Sequence, residues 1–296
     1  MRSSYLRTLV VVSLGMLGWS VPAQAQDTPK GLLAQDAATT GTTDVGGGGF
    51  EAAAAKEAAA EEASELELSA GGLLASGNSR STAVTGAGRL RLRRAENEYS
   101  AIFAANYARS AAAADEPMET SVSNAQGRVR YDRFLSQSWA LFVAETARRD
   151  RFQGLALRLN FDPGVAYYFF EYEKHRLVGE LGYDLQYDVR RDETIAASAA
   201  EGINVDKTEV EHSGRAFAGY ENKLNQAVSF TTGLEYIQSI LEAERWRLNW
   251  DTSLTSSIAE SFSLAATFSL RYDNSPLPGI EKTDTTTALS LVYTLL

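Results

Sequence analysis

The sequence predicts an all-β fold: an antiparallel up-and-down transmembrane β-barrel of about twelve strands, preceded by a signal peptide and a short Ala-rich helix. Three observations lead there. Apolar and polar residues alternate through most of the region from Glu65 to Leu296. The alternating segments run to about 10–14 residues, longer than strands of ordinary globular sheets and close to what a tilted membrane strand needs. An export signal opens the chain.

Arg2 and Arg7 form a basic segment, Leu9–Gly18 a short apolar run, and Ala23-Gln24-Ala25 an A-x-A cleavage site. This is the pattern of a secretory signal peptide over residues 1–25, cut after Ala25. The apolar run is too short for a spanning helix, and no stretch of about 18 uninterrupted apolar residues occurs. Residues 26–64 read as periplasmic linker and helix. Gln26–Gly49 is rich in Thr, Ala, Asp and Gly and cannot bury a core. Glu51–Ser64, EAAAAKEAAAEEAS, consists of strong helix formers. It has no apolar stripe beyond alanine, and a lone helix of this length is marginal in water. It reads as a spacer, a coiled-coil contact, or a partly helical tail with no specific partner.

From Glu65 the period becomes two. Trp246, Leu248, Trp250, Thr252 and Leu254 alternate with Arg245, Arg247, Asn249, Asp251 and Ser253. Leu181, Tyr183, Leu185 and Tyr187 alternate with Glu180, Asp184, Gln186 and Asp188. Successive side chains of a strand point to opposite faces, so each segment has an apolar and a charged face. Twelve such segments are expected: Glu65–Ser76, Arg80–Arg93, Glu98–Arg109, Ser121–Phe134, Ser138–Arg149, Leu155–Tyr172, His175–Arg190, Thr208–Glu221, Gln226–Gln238, Arg245–Ile258, Ser261–Tyr272 and Thr285–Leu296. The barrel therefore occupies residues 65–296.

An even count returns both termini to one side. Every second connection is tight: 94–97, 137, 173–174, 222–225 and 259–260. The longest ones, 110–120, 191–207 and 274–284, fall on the opposite side. Short periplasmic turns and longer outer loops give this asymmetry, although Gly77-Asn78 and Arg151–Gly154 on the long side are also short. Asp162-Pro163-Gly164 interrupts the sixth segment. Proline cannot donate to a ladder. Leu157, Leu159 and Phe161 keep parity with Val165, Tyr167 and Phe169 beyond it, which favours one kinked strand over a hairpin.

Composition excludes several functions. The 28 Lys+Arg face 38 Asp+Glu, for a net charge of −10, which argues against nucleic acid. The absence of cysteine removes disulfides, Cys–zinc sites, thiol nucleophiles and a lipidated N-terminal Cys. His175 and His212 are the two histidines. His212 has lipid-facing parity and Ser213 the opposite one, so they make no nucleophile–base pair, and the reading is of a non-enzyme without cofactor or metal. Asp273, Glu281 and Asp284 could hold cations at the outer rim, but surface acids are usually just solvated.

The charged faces point into the lumen. Arg128, Arg130, Arg158, Glu180, Asp184, Asp188, Arg215, Arg245, Arg247, Asp251 and Arg271 are the candidate lumen-lining residues. Mixed signs leave two readings open: a narrow selective pore, or Arg–carboxylate pairs that plug the lumen. Twelve strands lie between small filled barrels and open sixteen-strand porins, so size does not decide. Tyr167, Tyr168, Phe169, Phe170 and Tyr172, with Trp139 and Trp246, fit aromatic girdles at the membrane interfaces.

Leu68–Arg109, with Ser76-Gly77-Asn78-Ser79 between two strands and a second strand rich in Thr, Gly and Ala, resembles the opening of the salt-induced outer-membrane protein family, also catalogued as a domain of unknown function. The match extends in pattern to Leu296, but the Gly77-Asn78 region is the distinctive part. The resemblance implies the outer membrane of a Gram-negative bacterium and brings no substrate or catalytic residues. Barrels of this kind usually end in an aromatic residue read by the assembly machinery, whereas this chain ends Tyr293-Thr294-Leu295-Leu296. The expected partners are outer-membrane lipid, lipopolysaccharide and the barrel-assembly machinery, for a monomer. The expected function is an envelope permeability or stress-related role through a narrow ion or small-solute pore. The alternative is a closed structural barrel that interacts or anchors through its loops or periplasmic helix, and an outer-membrane enzyme is the weakest reading.

Overall fold

In the computed structural model the described residues are 43–44, 49–50, 63–76, 80–111, 115–172, 174–276 and 281–294. Among them, long strands follow one another as β1 (Ala63–Ala75), β2 (Arg80–Arg94), β3 (Asn97–Ala111), β4 (Glu119–Phe134), β5 (Trp139–Asp150), β6 (Leu155–Glu171), β7 (His175–Arg190), β8 (Thr208–Lys223), β9 (Val228–Ser239), β10 (Trp246–Ala259), β11 (Phe262–Asp273) and β12 (Thr283–Thr294). Each pairs antiparallel with its chain neighbours, and β12 returns to β1 to close the barrel. That seam is the shortest joint: Leu291–Thr294 pair with Ala70–Glu67, four residue pairs against fifteen between β2 and β3. Helix α1 (Asp192–Ala200) lies in the β7–β8 loop.

Two boundaries differ from expectation. Ala63 and Ser64 are strand rather than the end of a helix, because β2 runs on to Arg94 and offers them ladder partners at Arg93 and Leu92. Thr43–Asp44 pairs with Gly49–Phe50 inside the segment expected to be linker. The signal peptide, most of the Ala-rich helix, Gly77-Asn78, Pro278 and Leu295–Leu296 lie outside the described residues.

The barrel is apolar outside and charged inside. Phe103, Val129, Leu141, Phe161, Leu181 and Trp250 are exposed on the outer wall, while Arg128, Arg130, Asp132, Glu180 and Asp184 are buried on the inner one. The outer wall carries aromatic clusters near both ends: Trp139 with Tyr167 (4.6 Å) near the tight turns, and Trp246 with Tyr272 (4.9 Å) at the opposite end.

Asp162-Pro163-Gly164 lies within one continuous strand, β6. The β5 side of the ladder passes through it, with Ala144 opposite Asp162 and Val143 opposite Pro163. On the β7 side the ladder skips from Phe161–Leu185 to Gly164–Gly182, as a residue without an amide donor requires. Gly164 has no alternative: a Cβ there would lie 2.4 Å from the Phe142 ring. At the loop end, Gly154 adopts φ +71° and its carbonyl accepts from the Arg191 amide at 2.9 Å. This holds the start of α1 over the β5–β6 turn, with Thr194 filling the space a Cβ on Gly154 would need.

Candidate functional site in the barrel lumen

The inner wall is built in three layers. Toward the tight-turn end, Phe134, Ala140, Phe142, Ala166, Tyr168, Val178 and Phe217 form one buried apolar cluster drawn from β4 to β8. Phe134 and Tyr168 approach to 5.9 Å between ring centres. Tyr168 is therefore not part of the outer girdle that its sequence neighbours suggested, since it is buried inside the barrel. Its even parity on β6 matches Asn160 and Asp162, and that parity was the available signal. Phe142 and Phe217 were likewise legible only as large apolar residues on otherwise polar faces.

Above the cluster runs a lattice of ion pairs. Arg130 on β4 donates to Asp132 through Nε at 2.8 Å and Nη2 at 2.6 Å, and its Nη1 lies 2.9 Å from Glu180 on β7. Arg215 on β8 meets Glu180 at 2.9 Å and Glu235 on β9 at 2.6 Å. Asn249 on β10 donates to the other Glu235 oxygen at 2.7 Å. The chain of contacts crosses from β4 to β10. The Arg130, Asp132, Glu180 and Arg215 side chains have no solvent exposure, and the Arg130 guanidinium sits 4.1 Å from the Phe142 ring centre. Buried charges persist only when paired and hydrogen-bonded, and the aromatic face adds a further favourable contact.

Toward the loop end the same chemistry becomes wetter. Arg158 makes a two-pronged contact with Asp188 (2.7 and 2.6 Å), and Arg247 donates to Gln186 at 2.6 Å while reaching Asp184 at 3.4 Å. Arg271 binds Asp251 at 2.7 Å, and Arg245 binds Glu209 at 2.5 Å. Glu209 is also bonded by Arg190. Arg158, Gln186, Asp188, Glu209, Arg245, Arg247 and Arg271 line a cavity of about 270 Å³ that ends at the loops. Arg158, Arg245 and Arg271 are partly exposed there, whereas Arg128, Arg130, Glu180, Asp184, Asp188, Arg215, Arg247 and Asp251 are buried. The loop above it holds an exposed pair, Lys207 and Asp192, whose contact draws the Asp192 carboxyl below its usual range.

Among the described residues no Ser–His pair is hydrogen-bonded. His212 touches the Tyr183 hydroxyl on the outer wall, while Ser213 is fully buried on the inner one. His175 contacts the Tyr220 hydroxyl at 2.9 Å. Among the described residues no group of three or more His, Cys, Asp or Glu is arranged to hold a metal. Of the rim acids, Asp284 lies 3.5 Å from Gln153, and Asp273 accepts from the Ser275 amide.

A family model described as "Protein of unknown function, DUF481" matches residues 68–295. The chain belongs to this family. The family description carries no salt-induced property. No curated protein matches the sequence. Among solved structures, the chain is similar to the NanC porin, with 10% identity and a TM-score of 0.47 over 79% of this chain and all of that one. It is also similar to the KdgM porin, solved in complex with disordered oligogalacturonate (6% identity, TM-score 0.39, 79% of this chain and all of that one). A third is the translocator domain of the autotransporter NalP from Neisseria meningitidis (9%, 0.38, 79% and 87%). At such scores they bear on neither a solute nor the contents of the lumen.

Proposed function

We propose that this member of the family is an outer-membrane barrel closed at rest, which presents a polar cup and its long loops to the cell exterior. The apolar outer wall with aromatic clusters near both ends supports membrane insertion. The asymmetry of turns and loops supports placing the termini in the periplasm. The observation that carries closure is Arg215 between Glu180 and Glu235: none of the three side chains is more than 1% exposed, and all lie above the apolar cluster. Water filling a pore at that level would wet these groups. Any permeability or stress-related role then depends on moving this lattice, and contact with lipopolysaccharide falls to the loop end.

Planar-bilayer recording tests the reading. The wild-type protein, folded and heat-modifiable, gives no current steps, while Phe142→Ala opens steps by removing the ring beneath Arg130. Discrete wild-type steps of an ion-selective channel would replace closure with the pore reading. Orientation is tested by labelling intact cells with an impermeant maleimide: Ala197→Cys reacts, and Gln137→Cys does not.

A further inference from the structure

Asp162 is fully buried, and neither of its side-chain oxygens has a hydrogen-bond partner. The lattice carboxylates are served differently: Asp132, Glu180 and Glu235 each meet an arginine within 3 Å, and Asp184 accepts from Asn160 at 2.7 Å. Asp162 sits where the β6–β7 ladder lapses beside Pro163. Across that gap it faces Asp184, which falls between Leu185 and Gly182 as Asp162 falls between Phe161 and Gly164, and two carboxylates have only acceptors to offer each other. The positive groups acting on Asp162 are Arg128 and Arg215. Arg215 is already engaged with Glu180 and Glu235.

Two further oxygens on the same inner face lack partners. Asn160 uses its amide nitrogen on Asp184, which leaves Oδ1 without a hydrogen bond. Thr146 stands directly opposite Asn160 on β5, and its Oγ1 has none either. Both residues are more than nine-tenths buried. A proton shared by the two carboxyls would leave Asn160 Oδ1, Thr146 Oγ1 and one Asp162 oxygen still unserved. A cation would serve all of them.

We propose that Asp162, Asp184, Asn160 and Thr146 form a site for a small monovalent cation, of sodium's size and hardness, in the inner wall at the Pro163 break. An all-oxygen donor set selects a hard cation. Two carboxylates with arginines nearby supply too little negative charge for a divalent one. The bound ion joins β5, β6 and β7 at the level where Pro163 contributes no amide. The site rests on the closed reading of the lumen, since water in an open pore would reach these oxygens; current steps in a bilayer would remove closure, whereas the salt comparison below tests the ion itself.

The test uses the full-length mature protein refolded in zwitterionic detergent micelles. Urea unfolding is compared in sodium chloride and in N-methyl-D-glucamine chloride at equal ionic strength, with sodium-23 relaxation as a direct probe. A folded-state site lowers the unfolding equilibrium constant by up to about tenfold for each tenfold rise in sodium once it is filled. Wild-type protein shows this dependence together with excess sodium-23 relaxation. Asp162→Asn, whose amide gives Asp184 a donor, unfolds identically in both salts and shows no excess relaxation. If Asp162→Asn fails to fold, Thr146→Val, which removes one ligand oxygen, must weaken the sodium dependence. Equal wild-type unfolding in both salts, or excess relaxation that survives these substitutions, overturns the proposal. Stability that falls with rising pH identically in both salts assigns a shared proton to the pair and overturns it as well.

Discussion

Arg215 in the middle of the barrel and Arg245 at its loop end make the same kind of contact with different consequences. Arg215 bridges Glu180 and Glu235 with no exposure, above the Phe142 and Phe217 rings. Arg245 contacts Glu209 and Glu242 with about a quarter of its side chain in solvent. In water an ion pair adds little, because each partner is well solvated alone. In a dry lumen the pair adds little over an apolar replacement of the whole set, but removing one partner strands the others. The middle of the barrel is therefore sensitive to single changes and its rim is tolerant.

The largest expected effect is at the centre. Arg215→Met leaves two buried carboxylates short of their cation and should cost about 3–5 kcal/mol by urea titration in micelles. A cost below about 1 kcal/mol would mean that water reaches the pair and that the contrast with the rim is wrong. Phe142→Ala should cost a similar amount, about 3–5 kcal/mol, by emptying the space against Gly164 and under Arg130.

Between centre and rim, the outer wall offers a control. Trp250 is exposed on the apolar face and Asn249 is buried beside Glu235. Trp250→Arg should cost about 2–4 kcal/mol in a bilayer near the midplane, while Trp250→Leu, which keeps the outer face apolar, should cost about 1 kcal/mol or less. Equal tolerance of both would remove β10 from the membrane. At the rim, Gly154→Ala forces a side chain into a left-handed backbone and against Thr194. It should cost about 1–2 kcal/mol and loosen α1, seen as faster proteolysis of residues 191–207.

Arg245→Ala should change stability by about 0–1 kcal/mol, with the difference shrinking as salt is added. The smallest effect belongs to Asp192, whose carboxyl is held below its usual range by the hydrogen bond and charge of Lys207. A depressed folded pKa stabilises above the unfolded value, about 3.9, and that stabilisation is lost as pH falls through the folded one. Proteolysis of the α1 loop should therefore quicken in acid, and Lys207→Met should abolish that acid dependence.

The sequence by itself determined the strand count, the course of β6 through Pro163, and the face on which each charge lies. The reason is local: in a β-strand parity alone assigns a side chain to one face. The same rule assigns the eleven candidate residues to one face, and would have assigned Tyr168 to that face had parity been followed rather than its aromatic neighbours. It could not say whether those charges line water or one another. Arg130 meets Glu180 from three strands away, and Arg247 meets Asp184 and Gln186 likewise. Such partners depend on how strongly the strands tilt and stagger when the sheet closes, and on which long side chains find room beside Phe142 and Phe217. Nor could it show that Asp162, two positions from Asn160 on the same face, would end up opposite Asp184 without a donor. The ladder lapse beside Pro163 that creates that gap comes from the pairing of β6 with β7, and only the closed barrel fixes what stands on either side of it.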